Sequence, residues 1–211
     1  MKITKYKHAC VMLQQDGQTV IIDPGSFTAL PKVSNLVAII VTHIHGDHLD
    51  ETHVQSLLAK FPDALVVSNE EVISQLETVE CHKKTVYSEE HVTIGNFSFD
   101  IYGHDHNIIY KTSPCKNIGV MVNGMFYYPG DSFTVPGVPV KVLAAPASGP
   151  WMKASEAMDF IAAVKPTRVF PTHNDLLSKN GEMVQYNWLK QAAEASGSEW
   201  FVLEVGESTE L

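Results

Sequence analysis

Arginine is nearly missing from this chain of 211 residues, where Arg168 stands alone. Bidentate guanidinium forks therefore cannot be how a polyphosphate or nucleic-acid backbone is gripped. Basic residues as a whole are outnumbered, 15 Lys and Arg against 24 Asp and Glu, for a formal charge of -9. Non-specific nucleic-acid binding needs clustered cations that neutralise phosphates, so that class of partner is disfavoured. Cysteine is scarce too. Cys10, Cys81 and Cys115 are odd in number, widely spaced and form no C-x-x-C, which argues against a disulfide framework and a thiolate metal site. No stretch has the apolar length of a membrane span, and Met1-Lys2-Ile3-Thr4-Lys5-Tyr6-Lys7 lacks the hydrophobic centre of a signal peptide, so the expected setting is the cytoplasm. Linkers, internal repeats and low-complexity tracts are also missing, and the length suits one α/β domain over residues 1–211.

What the chain does hold is histidine in a pattern. Thr42-His43-Ile44-His45-Gly46-Asp47-His48-Leu49-Asp50 follows Leu36-Val37-Ala38-Ile39-Ile40-Val41, an unbroken apolar run that predicts a strand buried on both faces. Behind it Val54, Leu57, Leu58 and Phe61 recur at helical spacing before Pro62, so the cluster occupies a strand-to-helix turn. On an extended chain His43 and His45 project to one side and both imidazoles reach one metal ion. Asp47 and His48, where the chain turns, can face a second ion. Imidazole and carboxylate without thiolate suits zinc, and also manganese or iron. With 10 His and 10 Asp in the chain, chance alone would give this pattern roughly once in a thousand such sequences, which makes coincidence a poor account.

These residues match His-x-His-x-Asp-His, and the chain resembles the metallo-β-lactamase superfamily, a four-layer αβ/βα sandwich of class α/β with its metal ligands on loops at one edge of two packed sheets. The resemblance implies five elements in order. The first is an Asp after an early strand, here Asp23 in Asp23-Pro24-Gly25, orienting a ligand His; read from the segment alone it is a turn. The second is the cluster. The third is a lone His within Gly103-His104-Asp105-His106-Asn107, where spacing does not choose between His104 and His106. Small bacterial members carry Gly-x-x-His followed by an apolar pair, which implies His106 as ligand and leaves His104 beside the site or at the surface. The fourth is a bridging carboxylate, Asp131 in Pro129-Gly130-Asp131-Ser132. An oxygen donor there departs from the β-lactam-hydrolysing branch, in which a Cys can occupy it. The fifth is His173 in Thr172-His173-Asn174-Asp175.

The implied centre holds two divalent ions, one on His43, His45 and His106, the other on Asp47, His48 and His173, with Asp131 shared. Asp47 and Asp131 are the carboxylates expected to serve catalysis. Candidates for the surrounding shell or pocket are Asp23, His8, His104, Asp175 and Trp151, with Phe133 beside Trp151; for Asp175 a helix-capping role is the plain alternative. A water shared by the ions becomes a bridging hydroxide near neutral pH, so no Ser, Cys or Lys nucleophile is needed. The implied activity is hydrolysis of a small ester, lactone or phosphoester. Two metals make the site locally positive, which leaves an anionic small-molecule substrate open. The competing readings are a nuclease or phosphodiesterase, a flavodiiron-type redox protein and a non-catalytic metal-binding protein. The sequence carries no signal for an oligomeric state.

The remaining pattern predicts strands over 3–7, 9–13, 19–23, 64–68, 83–88, 91–94 and 97–102. A hairpin follows over 118–128 about Asn123-Gly124, then strands over 140–145, 167–171 and 201–203. Helices are expected after Asn69, from Ala154 or Ser155 to Pro166, and over 180–196 with Val184, Trp188, Ala192 and Ala195 turned inward.

Overall fold

The computed structural model describes residues 1–111 and 113–211. Its first half runs β1 (Lys2–Lys5), β2 (Val11–Gln15), β3 (Gln18–Ile22), β4 (Leu36–Ile40), α1 (Glu51–Leu58), β5 (Leu65–Ser68), α2 (Glu70–Gln75) and β6 (Lys83–Thr85). The second half runs β7 (His91–Ile94), β8 (Phe97–Tyr102), β9 (Gly119–Val122), β10 (Phe126–Tyr128), β11 (Val142–Pro146), α3 (Ala154–Val164), β12 (Arg168–Thr172), α4 (Lys179–Ala195) and β13 (Glu199–Trp200). The chain ends on β14 (Ser208–Glu210), which returns to pair with β1. The sheets are seven-stranded, ordered β14-β1-β2-β3-β4-β5-β6 and β13-β12-β11-β10-β9-β8-β7.

Both sheets follow one plan for a local reason. Short turns make the leading strands antiparallel: Asp16 and Gly17, with φ of 48° and 77°, close β2 on β3, and Asn123 and Gly124, with φ of 52° and 62°, close β9 on β10. Asn, Asp and Gly tolerate this left-handed backbone, which matches the twist of a hairpin. After each meander the chain crosses over through a loop or helix and the pairing turns parallel, as in β3-β4-β5-β6 and β10-β11-β12-β13.

Alternating side chains then fill three apolar layers. Between the sheets lie Val11, Leu13, Val20, Ile22 and Ile40 against Phe97, Phe99, Val120, Phe126 and Phe170, all fully buried. Outside the first sheet, Ile21, Ile39 and Val66 meet Val54 and Leu57 of α1 and Val72 of α2. Outside the second, Leu143 and Ala145 meet Ala157, Phe160 and Ile161 of α3 and Leu189 and Ala193 of α4. The result is the expected four-layer αβ/βα sandwich. Truncating a central ring such as Phe99 to Ala would cost about 3 to 5 kcal/mol. No helix among the described residues is long and apolar enough to cross a membrane.

Three expectations are corrected. The first strand stops at Lys5, because Tyr6 N–H bonds back to the Cys10 carbonyl and His8 takes a φ of 60°, forming a tight turn instead of an extended run. The inward face of α4 is Leu189, Ala192 and Ala193, while Val184 and Trp188 are 55% and 46% exposed. The half-buried Glu182, Gln185 and Tyr186 continue that face toward the start of the helix, and Val184, Trp188 and the exposed Ala195 lie on the opposite one. Residues 201–203 are not a strand: Phe201 N–H still reaches the Val169 carbonyl, but the ladder ends there.

Candidate metal centre

Strands β1, β3, β4, β8, β10 and β12 all end at one rim of the sandwich, because parallel and twice-reversed strands share a direction. The loops leaving these ends carry His8, Asp23, His43 to His48, His106, Asp131 and His173 in turn. Two glycines let the loops close on one another. A Cβ at Gly25 would sit 1.9 Å from the Asp47 carbonyl oxygen, and one at Gly130 would sit 2.4 Å from Asn117 Oδ1. Gly130 also has a φ of 63°, which a side chain would strain.

Asp23 is fully buried and organises the His cluster. Its Oδ1 accepts the Thr42 N–H at 2.7 Å, and its Oδ2 accepts the Thr42 hydroxyl at 2.7 Å and His48 Nδ1–H at 2.6 Å. With its own proton committed to Asp23, the Thr42 hydroxyl accepts from His43 Nδ1 at 3.0 Å. His106 Nδ1 donates to the Asn107 carbonyl at 2.5 Å, and His173 Nδ1 donates to the Ser148 carbonyl at 2.6 Å. Ser148 also donates its hydroxyl to the His173 carbonyl, which holds that residue at a left-handed φ of 54°.

The consequence is chemical. When Nδ1 carries the proton, each neutral ring directs the lone pair of Nε2 elsewhere. Nε2 of His43, His48, His106 and His173 is buried without a hydrogen-bond partner, and so is Asp131 Oδ1. These atoms face one another: Asp131 Oδ1 lies 3.1 Å from His48 Nε2, while Oδ2 lies 3.1 Å from His173, 3.3 Å from His106 and 3.9 Å from His43. Buried lone pairs without donors cost roughly 1 to 3 kcal/mol each. A cation is the one species that all of them can share.

Two sets of donors could each hold an ion. His43, His45, His106 and Asp131 lie with ligand atoms within 4.8 Å of one another, and His8, Asp47, His48 and His173 form a second such set. Protons can partly fill the same role. Burial works against a charged His173, but Asp131 and Asp47 beside it raise its pKa to about 9. Burial likewise opposes charge on Asp131, yet His48 and His173 hold its carboxyl well below the usual carboxylate range. Burial pushes His43 well below its ordinary value, keeping it neutral as a ligand must be.

His8 enters more closely than its sequence context suggests. Its Nε2 is 3.0 Å from Asp47 Oδ2, and its Nδ1 accepts the Asp175 backbone N–H at 3.2 Å. Because Nδ1 accepts, the ring proton sits on Nε2 and is donated to Asp47. His8 thereby orients a carboxylate and is not itself a ligand, despite its place in the second set. Burial first, and His173 and His48 nearby, lower its pKa, so the neutral ring prevails.

The other sequence candidates divide. Trp151 is buried and donates Nε1–H to Asp131 Oδ2 at 2.8 Å. Phe133 stands behind it, 5.3 Å between ring centroids, and touches Phe160 of the core at 5.4 Å, so it supports Trp151 without lining the pocket. His104 is exposed, whereas His106 is 4% exposed and stands in the cluster. The Asp175 carboxylate turns away to Lys7 at 3.0 Å, and only its backbone serves the site. Thr42, Asn117 and Ser148 carried no signal of their own, since Asp23, Asp131 and His173, which they bond, lie 14 to 25 residues away and meet them only once folded.

An αβ/βα sandwich with imidazoles and carboxylates gathered at this rim defines the metallo-β-lactamase class of protein. The chain belongs to the beta-lactamase superfamily domain family, whose model matches residues 2–173. It is 32% identical over 199 residues to protein Rv0786c of Mycobacterium tuberculosis, covering 90% of this chain and 92% of that protein. It is 30% identical over 146 residues to a metal-dependent hydrolase of Geobacillus thermodenitrificans, covering 63% of each. Its fold matches the structure of Igni18, a metallo hydrolase from the archaeon Ignicoccus hospitalis, with a TM-score of 0.76 at 20% identity, over 100% of this chain and 98% of the other.

Proposed function

We propose that this metal-dependent hydrolase holds two divalent ions, zinc first by donor type, and uses them to cleave a small ester, lactone or phosphoester. In this assignment His43, His45 and His106 hold one ion, Asp47, His48 and His173 hold the other, and Asp131 is shared. The observation that carries it is the set of buried, partnerless atoms, His43 Nε2, His48 Nε2, His106 Nε2, His173 Nε2 and Asp131 Oδ1, converging on one space. Bound there, divalent ions supply Lewis acidity and bring the pKa of a water near neutrality.

The protein's own groups do the rest. Asp23, Thr42 and Ser148 fix imidazole tautomers so that no reorganisation is needed at the moment of reaction. Asp47 is the partly exposed carboxylate, 21% against 3% for Asp131. His8 donates to Oδ2, and in this assignment Oδ1 would take the proton that water releases and pass it to the leaving oxygen. Free thiols at Cys10, Cys81 and Cys115 support a reducing, cytoplasmic setting.

The test joins metal analysis to turnover. Purified protein should carry about two ions per chain and hydrolyse members of an ester, lactone and phosphoester panel. Chelation should abolish the activity and zinc or manganese should restore it. Retained turnover in the metal-stripped protein would refute the assignment.

A further inference from the structure

Over the centre opens a cavity of about 440 Å³, floored by His45, Asp47, Asp131 and His173. Its walls are Phe27, Ile109, Pro150, Trp151 and Leu176. Three of these are large apolar side chains left open to solvent beside the centre, Phe27 at 38%, Ile109 at 52% and Leu176 at 52%. None of the eleven lining residues is Lys or Arg. Of the lysines on the neighbouring loops, Lys7 pairs with Asp175 at 3.0 Å, Lys179 with Glu182 at 3.0 Å and Lys153 with Glu156 at 3.9 Å, and Lys111 lies over the Tyr110 ring at 5.3 Å. The indole N–H of Trp151 is already spent on Asp131.

Charge points the same way. Asp23, Asp47 and Asp131 together offset three of the four positive charges that two divalent ions bring. A hydroxide bound there would offset the last. An anionic group on the substrate body would meet apolar walls and the single Ser26 hydroxyl, with no cationic side chain to replace its water.

Resting on the hydrolase assignment above, we propose that the substrate is an uncharged carboxylic ester or lactone with an apolar acyl chain, seated against Phe27, Ile109 and Leu176. One water is consumed. Its oxygen forms the new bond to the acyl carbon, the acyl–alkoxy C–O bond breaks with its electron pair going to the alkoxy oxygen, and that oxygen takes up a proton. The products are an acid and an alcohol.

Two matched pairs test this. On the metal-loaded protein, 4-nitrophenyl hexanoate is compared with the mono-4-nitrophenyl ester of adipic acid, which has the same chain length and adds a terminal carboxylate. On the metal-free protein with Trp188→Phe and Trp200→Phe, quenching of Trp151 reports binding of hexanamide and of adipamate. The expected result is a kcat/KM for the hexanoate at least roughly tenfold above that for the adipate ester and above that for 4-nitrophenyl acetate, with hexanamide the tighter binder. Leu176→Lys should shift the preference toward the adipate ester by about tenfold. Equal or better handling of the anionic member in both pairs, or faster turnover of a phosphomonoester, would overturn the proposal. If no ester or lactone turns over while hexanamide still binds more tightly than adipamate, the hydrolytic assignment fails and the pocket's preference stands. If hexanamide shows no preference either, both fall.

Discussion

His48 and Asp23 are joined in complete burial, Nδ1 to Oδ2 at 2.6 Å, with the same carboxylate closing on the backbone and hydroxyl of Thr42. One side chain thus sets the tautomer of two proposed ligands, His48 directly and His43 through Thr42. Asp23→Ala should lower metal affinity about 10- to 100-fold, read by competition with a chelator. It should also cost roughly 1 to 3 kcal/mol of stability, because the Thr42 N–H loses its acceptor in the interior. Unchanged affinity would mean that the pair serves the fold alone.

His8→Ala removes the donor to Asp47 Oδ2 and the ring that packs 3.9 Å from His173. Metal should be lost from the second set before the first, giving a stoichiometry near one ion per chain and a fall in kcat of about 10- to 100-fold. His8→Gln keeps an N–H donor and should recover part of both. If alanine and glutamine behave alike, the hydrogen bond is not what matters.

Asp131→Asn keeps the size of the side chain and removes the charge that four imidazole nitrogens face. Both ions should bind more weakly, since the residue borders both sets, and activity should drop by about three orders of magnitude, comparable to losing a central electrostatic group. Metal analysis together with circular dichroism decides the case. Loss of one ion only, with the other at full affinity, would contradict a shared role.

Without metal, stability should fall as the solution turns alkaline. The folded state holds a proton on His173 up to a pKa of about 9, although burial opposes it, because Asp131 and Asp47 favour the cation. Once unfolded the group reverts to about 6.5 and has released that proton by pH 8. This contribution is therefore complete below about pH 6.5 and is lost as pH rises through 9, at about 1.4 kcal/mol per pH unit. His48, buried but flanked by Asp131 and Asp23, is raised well above its ordinary value and adds in the same direction. His43 and His45 are lowered and oppose only at more acidic pH. Calorimetry should find the melting point of the metal-free protein about 5 °C or more lower at pH 9 than at pH 7. The metal-loaded protein should shift less, since ions then replace the protons. A melting point that rises over this range would contradict the ion pairing.

The sandwich and the His-Asp cluster at its rim were legible because both are written locally. Apolar runs of four to six residues mark the strands, and His43 to His48 pack four donors into one turn. The choice of His106 over His104 followed a segment pattern, and His106 is the one that stands buried in the cluster. Tertiary relationships were not legible. His8 meets Asp47 across 39 positions and Asp175 across 167, and nothing in its own neighbourhood announces either contact. The face of α4 was misjudged because helical period fixes which residues share a side, not which side meets the sheet. Val184 and Trp188 lie on the outward side.

The proposed ligands do not come from one side of the sandwich. His43, His45, Asp47 and His48 leave the first sheet, while His106, Asp131 and His173 leave the second. Filled, the centre would act as a rivet through the open lip of two stacked plates; without it that lip would stay closed on average but open locally more often, while the apolar interior between the plates stays shut. Proteolysis after chelation should accordingly begin in the loops at this edge and leave the opposite hairpin turns, at Asp16-Gly17 and Asn123-Gly124, intact.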